Sequence, residues 1–168
     1  IFENFSALFL EVWKKGILGV DIFQIVIGLG IFFIFLLFRG FISKVIIKRL
    51  KKIAKKTTNK LDDSFVEAME GPARFLPIVI GFFIASYYLE FSPESQAFIA
   101  NVNKTLITIL IFWLMHQFIQ PVSYLLGGLE EILSRELIGW IVKALKILIF
   151  ILGAAAVLEL WGIKIGPI

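Results

Sequence analysis

The chain contains no cysteine and only one histidine. Without a thiol it can form no disulfide, no thiolate nucleophile and no cysteine-ligated metal centre. A lone His116 removes the paired-histidine metal sites and most general acid–base schemes. Phosphate-cradling glycine loops and serine elbows are also missing, so no catalytic residue, cofactor or metal is expected. Charge is scarce as well: Asp, Glu, Lys and Arg make up 18% of the 168 residues, against about a quarter in a soluble domain. What fills the space is apolar, with 59% hydrophobic residues, 18 Phe, 4 Trp and a mean hydropathy of +0.92. This composition argues against an isolated soluble enzyme and predicts an all-α membrane protein.

About 20 apolar residues cross the roughly 30 Å of a bilayer's hydrocarbon, and the uncharged runs supply about four such spans. Residues 1–16 read as an interfacial lead-in, with Phe2, Phe5, Phe9 and Trp13 at near-helical spacing before Lys14 and Lys15. The first span is read over 17–38. It is not read as a cleaved signal peptide, because the basic cluster follows the apolar run. A cytoplasmic segment over 39–71 comes next, then a span over 72–91 with Tyr87 and Tyr88 at an aromatic belt. Residues 92–103 read as an external loop and 104–128 as a third span, kinked near Pro121. A link and fourth span occupy 129–161, where Lys143 and Lys146 must sit near one interface.

Nine of the 17 Lys and Arg fall between Arg39 and Lys60, and none between Ser92 and Asn103. The positive-inside rule then puts the basic segment in the cytoplasm and the N-terminus outside.

From Phe41 to Lys56 the pattern is a basic amphipathic helix, with Ile42, Val45, Ile46, Leu50 and Ile53 on one side. Lys44, Lys48, Lys51, Lys52 and Lys55 lie on the other, and Arg49 interrupts the apolar edge. Together with Arg74, Lys143 and Lys146, these five lysines are candidate ligands of anionic lipid head groups. Alternatively the charges only enforce topology. Nucleic acid is not an expected partner, because the polar face lacks base-stacking aromatics. Asn59 reads as an N-cap with Asp62 and Asp63 in the first turn, and Gly71 and Pro72 as the stop of that helix. A divalent cation held by Asp62, Asp63 and Glu67 is the competing reading of the acids. His116, Gln117 and Gln120 suit hydrogen bonding between spans better than a proton relay, which would have a single titrating member. The run Gly153-Ala154-Ala155-Ala156 gives the fourth span a smooth packing face.

Three of these features, in this order, resemble the membrane part of the small-conductance mechanosensitive channel (MscS) family, in its members with extra N-terminal helices. They are Thr58-Asn59-Lys60-Leu61-Asp62-Asp63, then Leu158-Glu159-Leu160-Trp161-Gly162-Ile163, then Gly166-Pro167-Ile168. The resemblance covers roughly Arg39 to Ile168 and implies that Gly166 and Pro167 open a glycine- and alanine-rich pore helix. It further implies a homo-oligomer, usually heptameric, in a bacterial cytoplasmic (inner) membrane, releasing ions and small osmolytes on hypo-osmotic stress. On that view the chain is the tension-sensing part of a longer channel. A helical anchor for a soluble domain and a small secondary transporter are the alternatives. A transporter would show an inverted repeat with broken helices, and only Pro77 and Pro121 point that way.

Overall fold

The computed structural model describes residues 20–54, 60–126 and 134–165. They form four helices: α1 (Ile22–Ala54), α2 (Lys60–Tyr88), α3 (Pro93–Leu126) and α4 (Arg135–Leu160). Each is long and apolar enough to cross a membrane, and each packs against the next along the chain.

Helix α1 starts at Asp21, whose carboxylate accepts the Phe23 N–H at 2.8 Å while its carbonyl accepts the Ile25 N–H. Its 33 residues reach about 50 Å at 1.5 Å per residue. That exceeds the hydrocarbon, and the basic stretch is the far end of the same helix. The boundary read at residue 39 falls inside this continuous helix, where apolar turns give way to basic ones. Nothing at Arg39-Gly40-Phe41 breaks a helix, since one glycine only weakens it by about 1 kcal/mol and no proline is present.

Helix α2 likewise runs straight through Gly71 and Pro72, which sequence reading took as a stop. A proline clashes with the Cβ of the residue before it. Gly71 has none and avoids that one clash, but the helices continue equally through Pro77 after Leu76 and Pro121 after Gln120. The rings of Pro72, Pro77 and Pro121 are fully buried.

The loop expected over 92–103 is also corrected: only Leu89–Ser92 is non-helical between α2 and α3. Pro93 occupies the first helical position, where its missing N–H costs nothing, and the Ser92 carbonyl accepts the Gln96 N–H at 2.9 Å.

Helix α4 begins at the N-cap Ser134 and ends in a Schellman motif. Gly162, at φ 78°, donates to the Glu159 carbonyl, and Ile163 donates to that of Leu158. The Leu158–Ile163 signature is thus a helix stop in which glycine takes the left-handed position.

Close approach at glycines sets the packing. A Cβ on Gly81 would lie 2.5 Å from the Phe35 Cβ, and one on Gly153 would lie 2.9 Å from the Phe112 ring. Gly71 seats Trp113 in the same manner, at 3.1 Å. Between α2 and α3, Asn103 donates to the buried Ser86 hydroxyl at 2.8 Å, which itself donates to the Phe83 carbonyl. Between α3 and α4, the Trp161 indole donates to Thr105 at 3.1 Å. Among the described residues, Phe23, Leu37, Phe41 and Trp140 are largely exposed and face lipid when the helices span a membrane.

Candidate functional site

Antiparallel packing brings the basic end of α1 beside the first half of α2. Ile47 and Leu50 of α1 meet Val66, Met69 and Ala73 of α2, and this apolar seam fixes the pair. One turn away on α1, the stripe Lys44, Lys48, Lys51 and Lys52 stays exposed, because i, i+4 and i+7 positions share a helix side. Across from it, Glu70 and Arg74 stand one turn apart on α2.

Between them is a groove of about 630 Å³, lined by those four lysines, Arg74, Glu70, Ser43 and Ile47. Five cations therefore converge with one carboxylate. Among the described residues, none of the five makes a hydrogen bond or ion pair. Ser43 is only 4% exposed, and its hydroxyl has no hydrogen-bond partner among the described residues either. A site with unpaired cations at the rim and an unsatisfied hydroxyl in its wall is suited chemically to an anionic group with several oxygen acceptors.

The structure thus gathers Lys44, Lys48, Lys51, Lys52 and Arg74 from the sequence-predicted set. Lys55 lies outside the described residues. Lys143 and Lys146 are elsewhere, on α4, and find separate partners. The Lys143 ammonium sits 5.7 Å from the Trp140 ring centre, and Lys146 donates to the Gln120 side chain at 2.8 Å. Lys146 is therefore tied to α3 rather than extended toward a head group.

The first turn of α2 holds Asp62 and Asp63, with their side chains outside the described residues, as are Asn59, Gly166 and Pro167. Gly71 and Pro72 belong to the helix interior. Sequence reading missed Ser43 and Glu70. The available signal for Ser43 was a lone hydroxyl in the apolar series that includes Ile46, Ile47 and Leu50; Glu70 joins only through the fold.

A second cavity of about 640 Å³ lies between α3 and α4, walled by Phe112, Trp113, Phe150 and Gly153 among others. His116 and Gln117 are among its few polar side chains and have no partner among the described residues. Of the three polar groups expected to bond between spans, only Gln120 does so.

The chain is similar to an uncharacterized MscS family protein of Aquifex aeolicus (strain VF5), with 26% identity over 167 residues, covering 95% of this chain and 44% of that protein. It is also similar to the uncharacterized MscS family protein YhdY of Bacillus subtilis (strain 168), with 28% identity over 93 residues, or 55% of this chain and 25% of that one. The chain thus spans less than half the length of either relative. No protein-family model matches it, and no solved structure matches it significantly. The likeness to an MscS family membrane domain that the sequence motifs carry therefore extends, in the first relative, over nearly the whole chain.

Proposed function

We propose that the chain is the tension-sensing transmembrane region of a mechanosensitive channel that releases ions and small osmolytes on hypo-osmotic stress. The observation that carries the reading is the cationic groove at the end of two apolar helices, in a chain whose relatives are named MscS family proteins. Tension favours the arrangement of larger in-plane area. An anionic lipid head held in the groove ties α1 and α2 to one leaflet, so tilting that hairpin changes lipid contact and supplies the differential free energy that gating needs.

The basic end of α1 and the start of α2 packed beside it face the cytoplasm of a bacterium's inner membrane, and the N-terminus lies outside. The assembly is a homo-oligomer, heptameric by family resemblance, with its pore lined by residues beyond those described. Helices α2 and α3 run unbroken through Pro72, Pro77 and Pro121, which counts against the transporter reading, since transporter sites use discontinuous helices. A plain anchor leaves five cations and a buried hydroxyl, all without partners among the described residues, without a role.

Hypo-osmotic shock of cells that lack other osmotic-release channels tests the assignment. Expression of the full-length protein should restore survival, whereas survival no better than that of the empty strain would return the chain to the anchor reading.

A further inference from the structure

The groove between α1 and α2 carries more charge than an ordinary phospholipid can balance. Lys44, Lys48, Lys51, Lys52 and Arg74 against Glu70 leave an excess of four positive charges. A single phosphodiester brings one negative charge. The cavity, at about 630 Å³, lies within the roughly 300–1,000 Å³ of small-molecule sites and has room for a head group of many atoms. Ser43 adds a second, independent observation. The residue is only 4% exposed, it lines the groove, and its hydroxyl has no hydrogen-bond partner among the described residues. A buried hydroxyl with nothing to donate to is costly, and a phosphoryl oxygen entering the groove would accept its proton.

We propose that this groove is selective for lipid head groups carrying two or more phosphate charges, with Ser43 and Arg74 as the discriminating contacts. The inference rests on the reading of the groove as a head-group site and deepens it. The occupant is a lipid rather than a soluble polyphosphate, because the groove opens where the membrane-length α1 passes from apolar to basic turns beside a second membrane-length helix. Arg74 comes from α2, opposite the lysine stripe of α1. Its planar guanidinium grips one phosphate in a bidentate pair while the lysines, as point charges, neutralise the other. Glu70, one turn before Arg74, repels any anion in the groove, so an occupant stays only if its contacts with Arg74 and the lysines outweigh that repulsion.

The test uses the full-length protein in phosphatidylcholine nanodiscs doped with cardiolipin, which has two phosphodiesters, or with phosphatidylglycerol, which has one, at equal total phosphate. Lipid retained after purification into detergent is quantified. Cardiolipin should exceed phosphatidylglycerol by about fivefold or more per phosphate. Ser43→Ala and Arg74→Gln should each remove most of that preference, bringing retention of the two lipids per phosphate to within about twofold of each other. Glu70→Gln should raise phosphatidylglycerol retention, and Lys104→Gln, on exposed α3 surface, should change nothing. In lipid-free detergent Ser43→Ala should melt at or above the wild-type temperature, because it deletes a hydroxyl with no protein partner, so the lost preference cannot come from misfolding.

Equal retention of both lipids by the wild type overturns the proposal while leaving the head-group site in place. A preference unchanged in both Ser43→Ala and Arg74→Gln overturns it as well. Retention of neither lipid sinks the head-group reading on which it rests. A competition arm with inorganic pyrophosphate separates the sources: pyrophosphate bound without any cardiolipin retained overturns the lipid assignment, and cardiolipin retained in its presence supports it.

Discussion

A side chain at residue 81 would put its Cβ 2.5 Å from the Phe35 Cβ, an atom fixed to the α1 backbone that cannot swing aside. Gly81→Ala should therefore destabilise the chain by about 1–3 kcal/mol, the cost of overpacking a closed contact. Gly30 sits on the exposed side of α1 instead, with nothing within 4 Å of a built Cβ. Gly30→Ala should stabilise by about 0.5–1 kcal/mol through helix propensity alone. Thermal melting in detergent distinguishes the two, and shifts of the same sign would show that glycine is not acting through packing here. The Gln120–Lys146 bond admits an equally direct reading. A double-mutant cycle with Gln120→Leu and Lys146→Met should give a coupling of roughly 0.6–2 kcal/mol, the range for hydrogen bonds between membrane helices. A coupling of zero would mean that Lys146 reaches water or head groups instead.

At the scale of the helix, the conformation of Gly71 decides whether α2 is one element or two. If it were a left-handed cap, alanine there would be strained whatever its neighbours. In the continuous helix the only obstacle is the Trp113 ring, 3.1 Å from a built Cβ. Gly71→Ala should thus stabilise by about 0.5–1 kcal/mol in a Trp113→Leu background, even if it is neutral or costly beside Trp113. Destabilisation in both backgrounds would restore the break.

The same residue shows what the sequence made legible. Long apolar runs announced four helices, because only a helix satisfies its own backbone in hydrocarbon. The ends of those helices were not legible at Arg39, at Gly71-Pro72 or across 92–103. Charge marks where a helix leaves lipid, not where it stops, and in long membrane helices interior prolines are tolerated. Much the same holds for the groove. The lysine stripe could be read from α1 by itself, whereas Ser43 and Glu70 acquire meaning only when α2 folds back.

For the whole molecule the first question is direction. The basic groove lies at one end of the α1–α2 pair and the Leu89–Ser92 turn at the other. A cysteine replacing exposed Glu94 should react with an impermeant thiol reagent added outside intact cells, and one replacing Lys52 should react only after permeabilisation. The opposite pattern would invert the orientation and move the groove to the outer leaflet. Because the chain has no native cysteine, these labels report on single positions.

The central claim is that lipid held by these helices biases a tension-driven opening. Its most direct measurement is the tension threshold of the full-length protein in excised patches of defined lipid, compared between the wild type and a variant with Lys44, Lys48, Lys51 and Lys52 changed to Gln. The account predicts stepwise currents under suction in both, with the threshold of the variant displaced and its dependence on anionic lipid lost. A full-length protein that stays silent up to patch rupture would contradict the account, and so would a threshold that is identical in the two proteins at every lipid composition.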